Sequence, residues 1–259
     1  MQEVVIVDGI RTAIGKYGGA LASIRPDDLL AITYKALMER NGIDPTLLED
    51  VYAGCSNQAG EDNRDVARMS TLLAGFPVSV PGITVNRLCA SALSAVNEAA
   101  KSIIAGEGDV YIGSGVECMS RAPWSVPKPT HTPSVQAPVM HDTTVGWRYN
   151  NPRMDEMYPI ISLGETAEAI AEEMKISRED QDAFALESQK RAINAINDGR
   201  FEDEIVPVEI PQKRGDALVF DVDEHPRYQA VDGTYKLATT AKELAKLRPV
   251  FKKGGTVTA

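Results

Sequence analysis

Cys89 is the side chain in this sequence best placed to do chemistry. It follows a β-branched run and an Asn-Arg-Leu corner in Gly82-Ile83-Thr84-Val85-Asn86-Arg87-Leu88-Cys89-Ala90-Ser91-Ala92. After it, apolar or small residues recur at Leu93, Val96, Ala100 and Ile103, which predicts a helix over Cys89–Ala105 closed by Gly106. A thiol at a helix start faces unpaired N–H groups and the positive end of the dipole. Both favour the thiolate, the form that attacks carbonyl carbon and can carry an acyl group. A free cysteine is also a common small core residue, so position alone leaves an inert role open.

The other candidates for chemistry are few. Cys55 follows a short strand and Cys118 lies in Val116-Glu117-Cys118-Met119; both read as packing residues. Three cysteines cannot all pair, and their scarcity suggests free thiols in a reducing cytoplasm. His131, His141 and His225 are the only histidines, and no close Cys or His spacing predicts a metal site.

Elements that could position Cys89 alternate over the first ~115 residues. Strands are expected at Val4–Asp8, Val51–Gly54, Ile83–Asn86 and Val110–Ser114, and helices at Asp27–Asn41 and Asp65–Ala74. That order implies a mostly parallel sheet covered by helices, with chemistry at the carboxyl ends of the strands. Arg121–Pro159 is proline-rich without helical period. Helices then follow at Glu165–Met174 and from Ser177 to about Asn197, strands at Ile205–Ile210 and Leu218–Phe220, and a last helix at Ala241–Leu247.

The chain has 259 residues, 43% hydrophobic and 25% charged, an ordinary globular mix large enough for a sizeable core. No apolar run approaches the ~18–20 residues that span a bilayer, and the acidic, uncharged-by-lysine start reads as a strand and not a signal peptide. A net charge of −10 disfavours nucleic acid as a partner. Residues 213–253 nevertheless carry nine Lys or Arg against six Asp or Glu. That segment is either a solvated surface or a cradle for an anion.

Motifs along nearly the whole chain resemble the thiolase family. They are Asp8-Gly9-Ile10-Arg11-Thr12-Ala13-Ile14-Gly15, Gln58-Ala59-Gly60, Val85-Asn86-Arg87-Leu88-Cys89-Ala90-Ser91 and Gly115-Val116-Glu117-Cys118-Met119-Ser120. Gly164-Glu165-Thr166-Ala167-Glu168, Ile176-Ser177-Arg178-Glu179-Asp180-Gln181-Asp182, Asp223-Glu224-His225-Pro226-Arg227 and Gly255-Thr256-Val257-Thr258-Ala259 follow in the family's order. Gly60-Glu61-Asp62-Asn63-Arg64 and Asp142-Thr143-Thr144-Val145-Gly146-Trp147-Arg148 are most similar to the β-ketoadipyl-CoA branch.

The resemblance implies an α/β fold: a thiolase-like βαβαβαβ layered half over 1–118, an inserted α+β loop domain for CoA binding or oligomerisation over 119–249, and the start of a return strand over 250–259. It implies transfer of an acyl group between a 3-ketoacyl-CoA and CoA, or the reverse Claisen condensation, through a thioester on Cys89, within fatty-acid or aromatic degradation. CoA and acyl-CoA would be substrates, with no permanently bound cofactor. Arg227, Leu163, Val250 and Phe251 match the family's CoA contacts; core packing is the alternative for the last three. A cytoplasmic homodimer or homotetramer is expected. The family's second half carries Gly-His-Pro and Cys-Gly-Gly motifs that these residues do not contain, so little or no turnover is expected of them alone. A related condensing enzyme, or a catalytically dead acyl-CoA-binding or oligomerisation fragment, are the rival readings.

Overall fold

A computed structural model describes residues 2–129 and 137–259. His131 and Pro133 lie outside the described residues. The chain forms two compact units: residues 2–145 with 203–223, and residues 146–202 with 224–259. The basic 213–253 segment is thus shared between the two.

The first unit begins with β1 (Arg11–Thr12), α1 (Pro26–Asn41), β2 (Asp50–Gly54), α2 (Val66–Leu73), β3 (Ile83–Val85), α3 (Ser91–Ala105) and β4 (Tyr111–Gly115). Two short strands, β5 (Trp124–Ser125) and β6 (His141–Asp142), pair antiparallel. Returning later in the chain are β7 (Ile205–Val206), β8 (Val208–Ile210) and β9 (Leu218–Phe220). Pro207, which lacks an N–H, divides the single strand expected over Ile205–Ile210.

The central sheet has the order β3-β2-β4, all parallel, with Tyr52 opposite both Ile83 and Gly113. Helix α1 starts as its sequence dictates: Pro26 occupies the first turn, Asp27 and Asp28 face the dipole, and Gly42 ends it in the left-handed region at φ 61°. Its Leu29, Leu30, Tyr34 and Met38 bury against Val51 and Ala53 of β2 and Val66 of α2. The Tyr34 hydroxyl pairs with Ser114 Oγ, which donates to the Tyr52 carbonyl, so the buried phenol is satisfied.

The expected first strand, Val4–Asp8, is not part of any sheet. Val5, Ile6 and Val7 are exposed, and the pairing instead falls on β1, parallel to β7. Arg11 fixes that junction by binding Glu204 and, through two guanidinium nitrogens, Asp223. The β-branched run is anchored at its end, where Asp8 accepts from Asn41 Nδ2 and pairs with Arg40, and not by burial of its own side chains.

The second unit contains α4 (Pro152–Met157), α5 (Leu163–Glu173), α6 (Arg178–Asn197), the hairpin of β10 (Tyr228–Val231) and β11 (Thr234–Leu237), and α7 (Ala241–Leu244). Helix α4 corrects the helix-free reading of Arg121–Pro159; Asn151 caps it and Pro152 opens it. Ser162 and Glu165 form a capping box at α5, two residues before the start expected at Glu165. The hairpin turns on Asp232 and Gly233, at φ 49° and 75°, the two positive values that a type I′ turn needs.

Candidate active site

Cys89 sits between the end of β3 and the start of α3, at the carboxyl edge of the parallel sheet. It is exposed, whereas Cys55 is fully buried and Cys118 half-buried. The helix begins at Ser91 and not at Cys89, so the thiol belongs to the turn leading into it. That turn is tight. Leu88 has φ 52°, a left-handed conformation costing a non-glycine residue about 1 kcal/mol or more. Ala90 N–H then bonds the Arg87 carbonyl and Ser91 N–H the Leu88 carbonyl.

Two side chains hold this elbow. Asn86 Oδ1 accepts from Leu88 N–H at 2.9 Å, and its Nδ2 donates to the Ser56 carbonyl at 3.0 Å. Ser91 Oγ accepts from Arg87 N–H at 2.8 Å and donates to the Leu88 carbonyl at 2.6 Å. Ser56 is itself gripped by the Glu117 carboxylate through N–H and Oγ. The amides of Arg87, Leu88, Ala90 and Ser91 are therefore all engaged. Among the described residues, no acceptor stands against the N–H of Cys89, and no side chain caps α3. A free donor beside an exposed sulfur is suited to an oxygen that gains charge during attack.

The helix approaches the sheet unusually closely. A Cβ on Gly54 would lie 2.2 Å from Ala92 N, and one on Gly115 2.7 Å from Ala92 Cβ. Only small residues face inward: Ser91, Ser94, Ala95, Ala99 and Ser102 are buried. The larger residues of the helical repeat do not form that face: Leu93 and Val96 are exposed at 65% and 37%. Gly54, Ser91, Asn86, Ser56 and Glu117 have no assignment from sequence spacing; the run of small residues at helical period was the available signal for the inward face.

Cys55 is a poor nucleophile here. Burial first, then the nearby Glu117 and Asp62 charges, push its thiol up to about 12. Burial also raises the Cys118 thiol. His141 lies in β6 and His225 is exposed in the second unit. Among the described residues, no three His, Cys, Asp or Glu side chains cluster to hold a metal.

The expected CoA contacts all belong to the second unit. Leu163 and Val250 are exposed at 82% and 66%, so core packing does not explain them. The Phe251 ring stands against the start of α5, where a Cβ on Gly164 would come within 2.3 Å of it. The Arg227 amide donates to Gln189 Oε1, and its guanidinium has no partner among the described residues. Glu168 braces this region: its carboxylate accepts from Thr256 N–H and Val257 N–H at 2.8–3.0 Å while only 4% exposed.

The Thr256 amide bond, with help from Val257 and Lys252, holds the Glu168 carboxyl below its ordinary 4.5. A depressed folded pKa means full stabilisation above the ordinary range, lost as pH falls through the folded value. Glu168→Gln should therefore lower the melting temperature at neutral pH and flatten its decline below pH 4.5. Melting curves of both proteins from pH 7 to 3 measure this; parallel curves would refute it.

The chain matches the family described as "Thiolase, N-terminal domain" over residues 4–259. It is 50% identical over its whole length to a β-ketoadipyl-CoA thiolase of Escherichia coli and 49% to one of Pseudomonas aeruginosa. It covers 62% of each of those proteins. A solved acetyl-CoA acetyltransferase of Bacillus anthracis superposes on all of this chain with a TM-score of 0.86 at 34% identity, 61% of that chain being covered. No helix among the described residues is long and apolar enough to cross a membrane. The parallel sheet, the helix seated on its glycines and the matched motifs agree: the chain belongs to the thiolase family.

Proposed function

We propose that Cys89 is the acyl-carrying nucleophile of a thiolase-type acyltransferase. The observation that carries this reading is the exposed thiol on a strained elbow, with no acceptor on its own N–H among the described residues, at the carboxyl edge of the sheet. In the degradative direction, Cys89 Sγ adds to the 3-keto carbon of a 3-ketoacyl-CoA and the carbonyl electron pair moves onto oxygen. The Cys89 N–H stabilises that oxyanion. Its collapse breaks the C2–C3 bond, leaving an acyl thioester on sulfur; the C2 carbanion takes up a proton and departs as acetyl-CoA. The thiolate of a second CoA then accepts the acyl group and frees the Cys89 thiolate.

Relatives near 50% identity are named β-ketoadipyl-CoA thiolases, which supports a dicarboxylic substrate whose retained acyl group is succinyl. Residues 119–249 serve as the loop domain in this reading, with Arg227, Leu163, Val250 and Phe251 meeting CoA. Exposed Leu93, Val96 and Ile104 favour association with another apolar surface, in keeping with a homodimer or homotetramer. These 259 residues alone are expected to turn over little, since the Gly-His-Pro and Cys-Gly-Gly motifs are not among them.

Incubation with succinyl-CoA or acetyl-CoA, followed by peptide mass spectrometry, tests this. The expected product is a thioester on the Cys89 peptide, formed faster from succinyl-CoA. Acylation spread over lysines, or saturable CoA binding with no adduct, would defeat it.

A further inference from the structure

We infer that Ser91 is a positioning residue that sets the Cys89 elbow for attack; this rests on Cys89 being the nucleophile. Ser91 is 3% exposed and stands at the first position of α3. Its hydroxyl makes two bonds, and both go to the strained turn: it accepts from Arg87 N–H at 2.8 Å and donates to the Leu88 carbonyl at 2.6 Å. Those groups flank the peptide units that Leu88 holds at φ 52°. A left-handed leucine persists only where its surroundings over-determine it. The Leu88 side chain does not contribute, because it is 71% exposed.

The clamp has a consequence for chemistry. By taking up Arg87 N–H and bridging to the Leu88 carbonyl, Ser91 keeps the preceding amides pointing into the turn. The Cys89 N–H is left pointing where no protein acceptor stands among the described residues. Relaxing Leu88 toward an ordinary negative φ rotates the 88–89 peptide, and with it that N–H relative to Sγ. A reaction that builds charge on a carbonyl oxygen needs the donor in place; a displacement at carbon that builds no oxyanion does not.

The test compares two reactions at Cys89 in the 259-residue chain, each read on the Cys89 peptide by mass spectrometry. One is acyl transfer from succinyl-CoA, in which CoA leaves as the thiolate; the other is alkylation by iodoacetamide, in which iodide leaves. Ser91→Ala should slow acyl transfer by ~10-fold and alkylation by less than ~3-fold, the size of coupling expected between residues in contact. Leu88→Gly removes the strain penalty, so in that background Ser91→Ala should cost acyl transfer less than ~3-fold. Equal losses in both reactions, or the same loss in both backgrounds, would assign Ser91 to packing alone and overturn the inference. A wild-type chain that alkylates at Cys89 yet takes no acyl group would instead overturn the acyl-transfer reading beneath it.

Discussion

Cys89→Ala is expected to abolish acyl-enzyme formation, down to the background of a chain that keeps its other two thiols. Loss of a covalent nucleophile costs on the order of 10⁶ in rate where catalysis is otherwise intact, so no residual adduct should be visible. The selectivity follows from where the three sulfurs sit. Cys55 is fully buried, bonded to the Asn57 carbonyl and shifted to about 12, so its thiolate is scarce at any pH at which the fold survives. Cys118 is half-buried and points at the Ile24 carbonyl, and its thiol too is raised by burial. Cys55→Ala should leave acyl transfer intact while lowering the melting temperature, since it removes packed volume. Cys89→Ala should do the reverse, because an exposed side chain contributes little to packing. Acyl adducts in Cys89→Ala, or their loss in Cys55→Ala, would move the nucleophile elsewhere.

The parts of this architecture that were legible in the sequence are those governed by local chemistry. Pro26, the acidic pair after it and Gly42 bound α1 without reference to anything distant. Ser177 likewise caps α6, its hydroxyl accepting from Asp180 N–H. The Asp232-Gly233 turn was equally local, and the hairpin it makes could have been read from Tyr228–Leu237. What the sequence pattern leaves open is which face is covered. Leu93 and Val96 look like the buried side of α3 by size, yet the sheet below presents Gly54, Gly113 and Gly115, and only a small-residue face can approach such a surface. Val5, Ile6 and Val7 look like a core strand and are exposed. Burial is a property of partners, and a sequence pattern specifies only one side of each contact. Cys89, the proposed nucleophile, stands out in the sequence because its motif is linear. The positive φ of Leu88 and the Ser91 clamp do not, since leucine gives no sign of a left-handed turn.

Gly54→Ala should damage both stability and acyl transfer, because the place of Cys89 depends on how closely α3 lies on β2. The added Cβ would stand 2.2 Å from Ala92 N, 2.3 Å from the Ser91 carbonyl carbon and 2.6 Å from Ala92 Cα. All three are backbone atoms, so no rotamer change relieves the clash; the first turn of the helix must move. Removing a glycine from a strand would by itself stabilise by at most ~1 kcal/mol. Overpacking of a rigid contact costs ~1–3 kcal/mol and more when backbone must shift, so the balance is unfavourable. A net loss of about 2 kcal/mol corresponds to a melting temperature lower by about 4–8 °C for a unit of this size. The movement falls on Ser91 and Ala92, the residues directly after the elbow, so the Ser91 hydroxyl leaves its two partners and acyl transfer falls with stability. Gly9→Ala is the control: nothing lies within 4 Å of its Cβ position, so neither quantity should fall. Were Gly54→Ala to melt and acylate like Gly9→Ala, the close seating of the helix would not be what positions Cys89.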